Sequence, residues 1–133
     1  MINNRPFDLS KSSHLDKFCT LKYCLNIMSN TSRLSKNIDL LLGPKGEFMG
    51  GLECGIHRWN EHSKIEFGIN NKFEGYRAYL GPEEHGEELN SDIEEYISEI
   101  DLKNHLAFVC DWHLPLYPNN SVEIKKIRQK YHF

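Results

Sequence analysis

Residues 91–112, SDIEEYISEIDLKNHLAFVCDW, decide how this chain folds. Ile93, Tyr96, Ile97 and Ile100 fall at i, i+3, i+4 and i+7, the spacing of an apolar stripe on a surface helix. Ser91 and Glu94 match the [ST]-x-x-[DE] capping signature just ahead of that stripe. Acids in the first turn also suit the positive end of the helix dipole. The pattern predicts an acidic amphipathic helix over 91–101. In HLAFVCDW, residues 105–112, Leu106, Phe108, Cys110 and Trp112 alternate with Ala107, Val109 and Asp111, which predicts a buried strand. LPLYPNN then ends it, and the basic SVEIKKIRQKYHF is expected as a short terminal helix or a frayed tail.

Upstream, turn chemistry punctuates a series of short strands. IDLLL (38–42), the turn GPKG and EFMGGLECGIHRW (47–59) read as strand, turn, strand. KIEFGIN (64–70) alternates Ile65, Phe67 and Ile69 with Lys64, Glu66 and Gly68, a strand signal, and YRAYL (76–80) follows as another strand stopped by Gly81-Pro82. At the N-terminus, Ser13 and Asp16 form a first capping signature ahead of Leu15, Phe18, Cys19 and Leu25, which predicts a helix over 14–28. SNTSRLSKN then reads as a polar linker, and Met28 heads a plausible shorter product. The expectation is one α+β domain of 133 residues: an antiparallel sheet of about five strands with the acidic helix packed on one face. Residues 1–36 are expected as a peripheral helix and linker, 37–120 as the core, and 121–133 as a basic helix or tail.

Composition bounds the class. Hydrophobic residues are 39% and charged residues 26%, ordinary for a globular protein and too apolar for disorder. No apolar run approaches the roughly 18 residues that cross a bilayer, and the N-terminus lacks the apolar region of a secretory signal. Four Cys without an export signal read as reduced thiols in the cytoplasm.

The net charge of −3 hides an asymmetry. Residues 1–30 carry four Lys/Arg against two Asp/Glu, residues 121–133 carry four against one, and 31–120 carry eight against sixteen. Between Arg77 and Lys103 lie nine acids and no base, among them Glu83, Glu84, Glu87, Glu88, Glu94 and Glu95. Such a field repels nucleic-acid phosphates and attracts basic proteins. Trp112 and Tyr117, aromatic residues beside that segment, have the character of interface anchors.

Recognisable catalytic grammar is sparse. LGPKGEFMGG lacks the G-x4-G-K-[ST] order of a phosphate loop, and no G-x-S-x-G elbow, H-E-x-x-H helix or C-x-x-C pair occurs. Two Cys-x2-His pairs, Cys54/His57 and Cys110/His113, do supply the ligand inventory of a Cys2His2 zinc site. On regular strands, however, residues three apart point to opposite faces. A metal-binding module or small metal-dependent enzyme at these four residues is therefore the second reading. The first is a non-catalytic binding protein that needs no cofactor.

The acidic stretch 83–101, EEHGEELNSDIEEYISEID, with the CDWH that follows, gives the chain a resemblance in character to small immunity proteins of bacterial toxin–immunity systems, including those of contact-dependent inhibition. That resemblance implies a cytoplasmic inhibitor that occludes the active site of a toxin, often a nuclease domain with a basic surface. Glu83, Glu84, Glu87, Glu88, Glu94, Glu95, Trp112 and Tyr117 are the residues expected to meet such a partner, with neither nucleic acid nor membrane involved.

Overall fold

A computed structural model describes residues 5–13, 15–29, 32–50, 54–81 and 93–133. Among them, five α-helices flank a four-stranded antiparallel sheet: α1 (Cys19–Ser29), α2 (Leu34–Leu42), β1 (Glu47–Met49), β2 (Cys54–His57), α3 (Glu61–Glu66), β3 (Tyr76–Leu80), β4 (Ile93–Ile97), α4 (Glu99–Leu116) and α5 (Ser121–Tyr131). The strands lie in sequence order, β1-β2-β3-β4, as a meander. Pairings such as Phe48↔Ile56, His57↔Arg77 and Arg77↔Tyr96 fix the register. No helix among the described residues is long and apolar enough to cross a membrane.

The α+β class and the antiparallel sheet agree with the sequence, but several elements change type. Residues 93–112 are strand then helix, the reverse of their periodicity. Ile93–Ile97 pairs with β3 through Leu80↔Ile93 and Tyr76↔Ile97. The helix starts after Ser98, whose side chain accepts a hydrogen bond from the Asp101 N–H at 3.1 Å. Ser98 and Asp101 are thus the working capping pair, seven residues beyond the one read from the sequence. Leu102, Leu106, Val109, Cys110 and His113 form the buried stripe of α4 at helical spacing, so 105–112 is not a strand. IDLLL likewise belongs to α2, which buries Leu34, Ile38, Leu41 and Leu42.

KIEFGIN is not a strand either. Asn60 and Ser63 cap α3 reciprocally, side chain to backbone in both directions, and Ile65 is 86% exposed. The N-terminal helix begins at Cys19 rather than 14, because Phe18 sits in the left-handed region at φ 64° and breaks the run. The basic tail is helical throughout α5, with Ile124 and Ile127 buried.

The periphery expected for 1–36 is wrong for α1. Leu21, Cys24, Leu25 and Met28 are fully buried in the same cluster as Ile56, Ala78, Leu80 and Leu106. This helix lies across β2, β3 and β4 and alongside α4. One sheet face therefore carries Cys54, Ile56, Tyr76, Ala78 and Leu80 into the core, and the pleat sends His57, Arg77 and Tyr79 to the other.

Candidate functional site

The second sheet face is lined by polar groups where an apolar layer would be expected. His57 on β2 and Arg77 on β3 are cross-strand partners, and Glu94 on β4 lies diagonally beyond. The Arg77 Nε donates to Glu94 Oε2 at 2.6 Å, and its Nη1 lies 3.3 Å from His57 Nε2. His57 Nδ1 lies 3.1 Å from the Arg58 carbonyl. A guanidinium only donates and a carbonyl only accepts, so the proton sits on Nδ1 and Nε2 receives Arg77. Burial, reinforced by the Arg77 charge, holds the His57 pKa down at about 4.

Aromatic rings close over this line. Phe67 stacks on His57 at 4.5 Å, Phe73 meets its edge at 5.7 Å, and Arg77 lies 4.8 Å from the Tyr79 ring. Arg77 is 4% exposed, so its charge is neutralised by Glu94 and held between rings. With both nitrogens of His57 engaged, neither is open to take a proton from a substrate. The cluster is suited to clamping residues 58–75 onto the sheet.

Where β4 turns into α4, the surface has a different character. Glu74, Gly75, Tyr96, Ile97, Ser98 and Glu99 line a hollow of 440 Å³, with no basic residue in its lining among the described residues. Tyr96 is 50% exposed and Ile100, next along, 73%. Lys103 approaches Glu99 from α4 at 4.0 Å, a loose pair one helical turn apart. Tyr76↔Ile97 pairing is what brings the Glu74-Gly75 turn against the start of α4. Gly75 is needed there: its φ is +72°, and a Cβ would lie 2.4 Å from the Ile97 carbonyl oxygen.

The residues singled out from sequence are divided by this geometry. Glu83, Glu84, Glu87 and Glu88 lie outside the described residues. Glu94 is paired with Arg77 at 2.6 Å and does not line the hollow. Glu95 points to the other face, where its carboxylate accepts from the Phe18 N–H at 2.6 Å and the Leu21 N–H at 3.2 Å. It therefore caps α1 from a distant strand. Trp112 and Tyr117 are half-buried toward the far end of α4, Tyr117 stacked on His113 at 4.5 Å. Thirteen residues of helix separate Glu99 from Trp112, about 20 Å. They do not flank the acids of β4, as the strand reading had implied. Glu74, Tyr96, Glu99 and Ile100 were missed as a group, because only the β3–β4 register assembles them.

The Cys54, His57, Cys110 and His113 set does not converge. Cys54 and His57 face opposite sides of β2, with Cys54 against Cys24 of α1, and Cys110 and His113 lie on α4. Burial pushes the Cys110 thiol up to about 12, away from the thiolate a metal would bind. Among the described residues, no group of three or more His, Cys, Asp or Glu side chains is placed to hold a metal ion. Comparison with protein families, curated proteins and solved structures finds no match for this chain.

Proposed function

We propose that this chain is a non-catalytic binding protein that neutralises a basic protein partner in the cytoplasm, a toxin of the kind countered by the immunity proteins it resembles. The observation that carries the reading is the hollow walled by Glu74, Tyr96 and Glu99, which has carboxylates and an exposed ring but no cation. A Lys or Arg side chain entering it meets charge from two sides and the face of Tyr96, a cation–π contact of about 0.5–1 kcal/mol at an exposed site. The acid-rich stretch 83–101 adds negative charge in sequence, and such charge speeds encounter with a basic surface. The buried histidine supports a non-catalytic role, since both its nitrogens serve the fold.

The test is co-expression with the protein encoded by the neighbouring reading frame, with growth and complex formation as readouts. Binding kinetics follow at two salt concentrations. Glu74→Gln with Glu99→Gln should slow association about tenfold at low salt and much less at high salt. Tyr96→Ala should speed dissociation at either salt. Absence of both a complex and protection against toxicity would refute the reading.

A further inference from the structure

We infer that the groove between the ends of α4 and α5 is a binding site for a single-chain amphiphile with a carboxylate head, a fatty acid. This groove lies apart from the acidic hollow and does not depend on the toxin reading. Its volume is 880 Å³, within the range of about 300–1,000 Å³ typical of small-molecule pockets. Half-buried Leu114 and Phe133 form its apolar surface, over the fully buried Ile124. Lys125, Arg128 and His132 stand around it, and among the described residues no acidic side chain lines it.

That charge pattern selects the ligand. In a chain of net charge −3, an apolar groove whose described lining carries Lys125 and Arg128, the latter shared with Asp111 just outside it, favours an anionic head over a neutral or cationic one. Arg128 is held in place: Nη1 donates to Asp111 at 3.0 Å and Nε to the Phe133 carbonyl at 3.0 Å, with the guanidinium 5.6 Å from the Phe133 ring. Lys125 is exposed and makes no ion pair among the described residues, so its ammonium is available to a carboxylate. The groove follows α5 from Ser121 to His132, about 16 Å at the helical rise, which suits an extended alkyl chain. Head and tail are thus recognised by different atoms: the Lys125 ammonium for the carboxylate, and Leu114 and Phe133 for the chain, with Arg128 fixed beside them by Asp111.

The experiment uses the full chain and dodecanoate below its micelle concentration, titrated calorimetrically and by amide NMR. Saturable one-to-one binding is expected, with shifts concentrated in residues 114–133. Dodecanol, the same chain without charge, should bind at least tenfold more weakly. Lys125→Glu, on an exposed site that leaves the thermal melt unchanged, should weaken dodecanoate at least tenfold while leaving dodecanol unaffected. Equal affinity for the two ligands, or an unaltered Kd in the Lys125 variant, would overturn the site. So would binding to phosphatidylglycerol vesicles without binding of free dodecanoate, or a dimer that closes the groove and excludes it.

Discussion

Glu95→Gln removes one charge from an acidic segment and should nevertheless behave as a core mutation. The Glu95 carboxylate receives two backbone N–H groups at the start of α1, at 2.6 and 3.2 Å. A glutamine keeps one acceptor and turns an NH2 donor toward the other N–H. A hydrogen bond to a charged group contributes about 1.5–3 kcal/mol, and a carboxylate at a helix N-terminus about 0.3–1 kcal/mol more. Losing one bond and the charge should cost about 2–4 kcal/mol, a large fraction of the 5–15 kcal/mol typical of a domain. Urea unfolding followed by circular dichroism measures this directly, with Glu99→Gln as the control. Glu99 is exposed and, among the described residues, its ion pair is the one-turn contact with Lys103, so its loss should cost no more than about 0.5 kcal/mol. If the two variants unfold at the same urea concentration, the capping role of Glu95 is refuted. It follows that a multiple Glu→Gln variant meant to probe surface charge should leave Glu95 intact.

A chain starting at Met28 should fail to fold, because it removes Leu21, Cys24 and Leu25, each fully buried and each leucine contributing about 1.5–3 kcal/mol; a cooperative melt of the short chain would contradict this. Stability should fall with acid through His57. Burial holds its folded pKa at about 4, below the ordinary histidine value of 6.5, so the unfolded chain gains the proton first, and stability declines from pH 6.5 down to pH 4 by roughly 3 kcal/mol. His113, neutral through burial, acts in the same direction, and His57→Gln should flatten the dependence of the urea midpoint on pH. A flat wild-type profile over that window would remove the linkage. Thiol labelling of the native protein should modify Cys19 first, since Cys24, Cys54 and Cys110 are fully buried; rapid modification of two or more thiols would contradict the packing.

The sheet was legible where buried residues sit in short runs between turns, as in YRAYL and CGIH, both buried on every position. It was illegible at IEEYI because an inward position holds a glutamate. Ile93, Glu95 and Ile97 share a face, and an acid there breaks the apolar alternation that marks a strand. Glu95 turns inward to cap α1, a role set by a partner 77 residues away. The remaining apolar residues then matched a helical stripe equally well. For α4, reading from His105 lost Leu102 and hence the 3.6-residue period. The His57–Arg77–Glu94 line was hidden for another reason: ordinary polar residues on three strands become a cluster only through register.

The position of α1 also governs how the chain assembles during synthesis. This helix leaves the ribosome before the β3–β4 hairpin it rests on, and the Glu95 carboxylate that caps it is encoded 77 residues after Phe18. At about 5–20 residues per second, the helix waits about 4–15 s for its platform. Until the last strand arrives, Leu21, Leu25 and Met28 have no complete sheet to cover them, and an isolated helix of 11 residues is only marginally stable in water. The nascent chain is therefore a natural client for a holding chaperone, and slow translation of residues 30–97 would lengthen its exposure rather than help it fold.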